Sequence, residues 1–171
     1  ESVFGGSSAK SSASANSRWS TDHTGLRLTG QFTVQFWLRM ASVAAGQYPV
    51  ASRYLPGVGL VWFYTQSAGK LNCYLLGNDI VGTGGTIASA TWHHVAVTRD
   101  AANTRYLFID GVLIGSSALS ANQSADIGWT ICGAESSLVG GANVNCHVDD
   151  FVVVQGTCHY TSSFTPPTAP W

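Results

Sequence analysis

Two glutamates, Glu1 and Glu135, and seven aspartates, at 22, 79, 100, 110, 126, 149 and 150, are the only carboxylate side chains in this sequence. Hydrolysis of a glycosidic bond usually needs two carboxylates about 5–9.5 Å apart across the scissile bond. Asp149 and Asp150 are adjacent, and successive side chains of a strand leave on opposite faces, so they are expected to diverge. No segment alternates acids along one face, so carboxylate catalysis is not expected and the chain reads as a non-enzyme. Gly-x-Ser-x-Gly and Gly-x-x-x-x-Gly-Lys motifs are absent as well.

Cys146-His147 and Cys158-His159 repeat one dipeptide. Zinc would need four convergent ligands, usually with short spacers between them, and neighbours in a strand diverge. Packed or disulfide-bonded cysteines with incidental histidines are the simpler expectation. The four cysteines, Cys73, Cys132, Cys146 and Cys158, allow three pairings, and spacing does not choose among them. His93-His94 is expected to place one imidazole in a satisfied, partly buried site and the other in solvent.

Recognition chemistry has more material. A pyranose stacks on an exposed aromatic face while amides and hydroxyls supply directional hydrogen bonds. Among six tryptophans and six tyrosines, Trp37 lies on the polar phase of its segment, Trp62 and Tyr64 share a phase, and Trp129 lies near a turn. These four are the candidate ligand-binding residues, each weighed against a packing role.

The elements that must position them are strands. Leu26 and Leu28, then Phe32, Val34, Phe36 and Leu38, alternate with Thr33, Gln35, Trp37 and Arg39, the period of two of a half-buried strand. Trp92 to Gly115 holds three strands, the last two joined at Asp110-Gly111, a pair suited to the positive φ of a type I′ turn. Ser2-Val3-Phe4, Val58–Tyr64, Lys70–Leu76, Ile127–Cys132 and His147–Val154 read as further strands. Gly5–Ser20 reads as a surface loop, Gln66–Gly69 as a hairpin tip, and Gly77–Asp79 and Gly82–Gly85 as turns. Met40–Ala45 is the single helical-turn candidate. The prolines after Phe164 cannot donate to a ladder, so the tail should end the sheet as a strap whose aromatics pack across it.

Strands spaced about 8–12 residues apart predict a two-sheet antiparallel sandwich. With 171 residues, 45% hydrophobic and 10% charged, one domain over 1–171 is expected. A net charge of −1, with the Lys and Arg residues scattered singly, provides no basic stripe for nucleic acid. No apolar run approaches the roughly 20 residues of a membrane helix. A cationic start followed by an apolar stretch is absent too, so no signal peptide is expected.

Three blocks carry a family resemblance: Phe32-Thr-Val-Gln-Phe-Trp-Leu-Arg39; Trp92-His-His-Val-Ala-Val-Thr-Arg99 with Leu107-Phe-Ile-Asp-Gly-Val-Leu-Ile-Gly115; and Val148-Asp-Asp-Phe-Val-Val-Val with Tyr160-Thr-Ser-Ser-Phe-Thr-Pro-Pro-Thr168. The chain resembles laminin-G-like, concanavalin A-like lectin/glucanase jelly rolls, and its third block is similar to domains of bacteriophage and prophage virion proteins. The resemblance implies an all-β jelly-roll sandwich. Gln35 stands where the family usually has an acidic residue. The family's calcium ion would fall at Asp149 and Asp150, yet the acidic, glycine-rich opening of relatives is here Ser-Val-Phe-Gly-Gly-Ser-Ser-Ala. Calcium wants six to eight oxygens, so a hydrogen-bonded structural carboxylate is the simpler reading of Asp150.

The function this implies is a non-catalytic recognition or adhesion module of a phage-like virion, at its surface or outside cells, binding a host-surface glycan or receptor. The alternative is a structural virion protein, a capsid decoration or fibre domain, whose partners are other virion subunits or copies of itself. Asn122-Gln123-Ser124, a glycosylation sequon, leaves an animal adhesion module as a third reading.

Overall fold

The computed structural model describes residues 2–5, 8–10, 19–20, 27–43, 48–55, 59–65, 67–75, 78–123, 128–133 and 144–171. Among them are twelve strands, β1 (Ala9–Lys10), β2 (Trp19–Ser20), β3 (Phe32–Met40), β4 (Tyr48–Leu55), β5 (Gly59–Thr65), β6 (Lys70–Leu75), β7 (Asn78–Thr86), β8 (Trp92–Arg99), β9 (Thr104–Ile109), β10 (Val112–Ala118), β11 (Thr130–Ile131) and β12 (Cys146–Gln155). They form two six-stranded sheets, ordered β1-β12-β3-β8-β9-β10 and β2-β11-β4-β5-β6-β7. Every pairing is antiparallel, as the jelly-roll expectation requires. No helix of the described residues is long and apolar enough to cross a membrane.

The alternation of β3 sends Phe32, Val34, Phe36, Leu38 and Met40 into the core, all fully buried. Val95 and Val97 of β8, Leu107 and Ile109 of β9, and Phe63, Leu71 and Cys73 from the opposite sheet complete it. The edges of Phe36 and Phe63 meet across the two sheets, with ring centroids 5.2 Å apart. The hairpin joining β9 to β10 pairs Ile109 with Val112, and Asp110 (φ 51) and Gly111 (φ 75) both take positive φ, as a type I′ turn demands. Asp110 also clamps β8, accepting the His94 amide through Oδ1 at 2.9 Å and contacting His93 Nδ1 through Oδ2 at 2.7 Å.

Four local expectations are corrected. Ser2-Val3-Phe4 is not a strand; the Val3 and Phe4 amides donate to Asp149 Oδ2 at 2.8 and 3.0 Å, which takes them from any ladder, and Ala9–Lys10 pairs with β12 instead. No strand was expected at β4; it forms with Pro49 inside it, beside a register shift between Pro49 and Ala51. Gly82–Gly85 lies inside β7 rather than in a turn. A methyl group at Gly82 would overlap the Leu71 carbonyl oxygen and Ile114, so the glycine serves close packing. Met40 ends β3 rather than opening a helical turn, and of that candidate segment residues 44 and 45 lie outside the described residues.

The outer face of the first sheet is not half-exposed as its polar residues suggested. Thr33, Gln35, His94, Ala96 and Thr98 are all buried, because residues 157–171 return across them as the expected strap. Thr33 Oγ1 donates to the Thr157 carbonyl and accepts the His159 amide, each at 3.0 Å. The Tyr160 hydroxyl donates to Gln35 Oε1 at 3.0 Å, and the Phe164 amide donates to the Gly111 carbonyl at 2.8 Å. Tyr160 and Phe164 stack at 3.5 Å and present edges to Phe108.

Candidate functional site

An opening in the described surface lies at the other end of the first sheet, where β1 and β12 approach β11. Ser8, Ala9, Ile131, Val148, Asp149, Asp150 and Phe151 line a cleft of about 420 Å³. Its shape follows from a bulge. β12 runs in register with β3 to Asp149 opposite Trp37 and resumes with Val152 opposite Gln35, so one extra residue is inserted, and Asp150 takes φ 48. Before the bulge Cys146 and Val148 face the core; after it Phe151 and Val153 do. Asp149 and Asp150 both line the cleft, where the bulge interrupts the strict alternation expected to separate them.

Their oxygens are engaged by backbone donors. Asp149 Oδ2 accepts from Val3 and Phe4, and its Oδ1 accepts the Asp150 amide at 3.0 Å. Asp150 Oδ1 accepts the Trp171 amide at 3.3 Å. Among the described residues no three His, Cys, Asp or Glu side chains converge as metal ligands do. With these oxygens engaged, the described residues do not fit a six-to-eight-oxygen calcium shell, and no chemistry here is routed through calcium. Ser8 Oγ lies 3.2 Å from His147 Nδ1, which adds a hydroxyl to the polar rim.

The aromatic candidates separate. Trp129 is 1% exposed and packs on Phe63 and Phe151, so it is a core residue rather than a stacking platform; its nearness to a turn misled because the chain enters the core there. Trp37 is half-buried beside the cleft, its ring meeting the edges of Phe4 at 6.0 Å and His94 at 5.3 Å, with its Nε1 enclosed. Trp62 and Tyr64 are placed by backbone register, Trp62 opposite Ser52 and Tyr74 and Tyr64 opposite Pro49 and Asn72; their side chains lie outside the described residues. The cleft thus brings together Asp149 and Asp150 with Trp37 as neighbour and excludes Trp129. Ser8, Ile131 and Phe151 were not singled out in the sequence. The β12 bulge turns Phe151 to the core side, the β1–β12 pairing and β11 bring Ser8 and Ile131 beside it, and no residue type announces this meeting.

Neither adjacent histidine faces solvent, contrary to expectation: His93 is 8% and His94 1% exposed. His93 Nε2 accepts the Ala88 amide at 2.9 Å, so Nδ1 carries the hydrogen given to Asp110. His94 lies beneath Phe164, and burial pushes its pKa down to about 4 against a partial upward pull from Asp110.

A laminin G-type family model, described as the Concanavalin A-like lectin/glucanases superfamily, matches residues 11–158. A search of curated proteins returned no match. Among solved structures, domains LG4-5 of the mouse laminin alpha1 chain superpose with a TM-score of 0.67 at 13% identity, over 85% of this chain and 40% of that one. The binding domain of Paraclostridial Mosquitocidal Protein 1 gives 0.64 at 15% identity, over 92% and 41%. The heptameric SAP-like pentraxin from Limulus polyphemus gives 0.55 at 17%, over 83% and 70%. The chain thus spans about 40% of the first two structures it matches, and at these identities the likeness is one of fold. With its three sequence blocks, its two antiparallel sheets and a family match over most of its length, the chain belongs to the Concanavalin A-like lectin/glucanases superfamily.

Proposed function

We propose that this domain is a non-catalytic recognition module of a phage-like virion, exposed at the particle surface or outside cells, that binds a host-surface glycan or receptor. The observation that carries the reading is the cleft: at about 420 Å³ it falls within the roughly 300–1,000 Å³ of small-ligand sites. Apolar walls from Ile131, Val148 and Phe151 meet polar groups from Ser8, Asp149 and Asp150, the mixture that seats a sugar's apolar face and orients its hydroxyls. The non-catalytic part rests on the carboxylates, whose oxygens hold backbone amides in place rather than flanking a bond. The similarity of the tail to virion domains supports the phage context, and one structural neighbour is itself the binding domain of a mosquitocidal protein.

The test is a glycan array with the purified protein alongside Asp149→Ala and Ile131→Trp, the second chosen to fill the cleft. Specific retention lost in both variants supports the module; retention unchanged in both removes the cleft from the reading. A second reading, a decoration or fibre domain acting through subunit contacts, is favoured by the 55% exposed Val112 and 37% exposed Leu113 on β10, the sheet-edge strand. Light scattering on the same sample separates the two. A monomer that retains sugars supports recognition, and a stable oligomer silent on every glycan supports architecture.

A further inference from the structure

Cys132 and Cys146 meet between the sheets. Their sulfurs are 2.7 Å apart, across a separation of 14 positions, and both residues are fully buried. Cys132 follows Ile131 at the end of β11, and its backbone is pinned on both sides: its amide donates to the Val50 carbonyl at 2.7 Å and its carbonyl accepts the Val144 amide at 3.4 Å. Cys146 opens β12, opposite Met40 of β3. The pair therefore joins the second sheet to the first one residue from Ile131 and two from Val148, which form facing walls of the cleft.

The other cysteines have no such neighbour. Cys73 is buried on β6 in the core, with its thiol pushed up to about 12 by desolvation. Cys158 lies in the strap, outside the first sheet, and its thiol donates to the Tyr160 carbonyl at 3.4 Å. Of the three pairings that four cysteines allow, one joins Cys132 to Cys146, and with Cys73 in the core and Cys158 outside the first sheet its second bond is excluded, which leaves the Cys132–Cys146 bond alone.

We propose that Cys132 and Cys146 form a single inter-sheet disulfide that holds the two walls of the cleft at a fixed spacing, leaving Cys73 and Cys158 as thiols. The oxidant is a disulfide of the thiol–disulfide exchange class. One cysteine, as thiolate, attacks a sulfur of the oxidant and releases one thiolate. The second cysteine then loses its proton and attacks the mixed disulfide, forming the protein S–S bond and releasing the other. Two S–H bonds are lost, one S–S bond forms, and two electrons and two protons end on the two thiols released. Burial and the neighbouring Cys132 thiol raise the pKa of Cys146 well above its ordinary value. A buried neutral thiol is a poor nucleophile, so exchange belongs to folding, before β11 and β12 close on one another.

The protein is refolded from denaturant with oxidised and reduced glutathione, denatured again without reductant and alkylated. Two of the four thiols should react, and cleavage after Glu135, which lies between the pair, should leave the Cys132 and Cys146 peptides joined until reduction. Reduction should lower Tm by roughly 6–12 °C, from a loop of this length and a domain of this size. Cys73→Ala and Cys158→Ser should keep the link; Cys132→Ser and Cys146→Ser should abolish it. The mapping on the unmodified chain stands even if these last two fail to fold. Four reactive thiols, a glutathione adduct left on either cysteine, a link through Cys73 or Cys158, or a bond whose reduction leaves Tm unchanged would each overturn the proposal.

Discussion

The two ends of the first sheet solve the same problem in opposite ways. Over β3, β8 and β9 the outer face is sealed: the strap gives Thr33, Gln35 and Thr98 hydrogen-bond partners and lays Tyr160 and Phe164 over Phe108 and His94. At β12 the sheet instead breaks its alternation, turns Asp150 into a left-handed conformation and leaves a cleft between the sheets. A face whose polar groups are consumed internally has little left to offer a ligand. At the bulge the carboxylates likewise hold backbone amides, so what this end adds is open volume beside the apolar walls of Ile131, Val148 and Phe151, the feature on which the proposed binding rests.

The largest way to break this contrast is Gly111→Ala. The new methyl group would overlap the Phe164 carbonyl oxygen at a position with φ +75, so the variant should lose about 2–5 kcal/mol through left-handed strain and displacement of the strap. Chemical denaturation should show this as a lower midpoint, with binding through the cleft retained by the molecules that stay folded.

Acid should act next, and on the sealed face. His94 has a folded pKa of about 4 against an ordinary 6.5, so between these values the unfolded chain binds the proton and the folded chain does not. Its contribution is fully present above about pH 6.5 and is lost as pH falls to about 4, a decrease of roughly 3 kcal/mol. Urea midpoints at pH 7 and pH 4.5 measure it, and His94→Gln should flatten the difference. A difference equally large in that variant would place the acid sensitivity elsewhere.

Asp149→Ala sharpens the other side of the comparison. It removes the acceptor of three amides, and a loss of about 1–3 kcal/mol is expected from unsatisfied donors, with a larger proportional loss of ligand retention if the cleft is the site. Smallest of all, Val112→Ser with Leu113→Ser should change stability by no more than about 0.5 kcal/mol. A shift from oligomer to monomer in that double variant would favour subunit contacts over recognition.

The sealed half was the more legible in the sequence. The two-residue period of β3, Asp110-Gly111 at the β9–β10 turn, and a proline-rich tail with aromatics each have a local physical reason, and all three were met by the structure. The cleft was hardly legible. Asp149 and Asp150 were candidates, but strand periodicity sent them to opposite faces, and a bulge is a property of two strands in register rather than of either one. Trp129 failed as a platform for a related reason. An aromatic near a turn carries no sign of whether the turn points into the core. Gly82–Gly85 misled in the other direction, since glycine marks close approach as well as chain reversal.

The strap has a kinetic consequence. Its anchors join residues as far apart as Thr33 and His159, 126 positions, or Gln35 and Tyr160, 125 positions. Contacts of such range are slow to form, because the intervening chain must be ordered before they can be made. The seat for Tyr160 and Phe164 comprises side chains of β3, β8 and β9, so it does not exist until those strands are paired. Docking of the strap is then a final step of folding. A chain halted before it would expose Phe108, His94 and Gln35 together, an adhesive surface that the finished protein keeps out of reach of its neighbours.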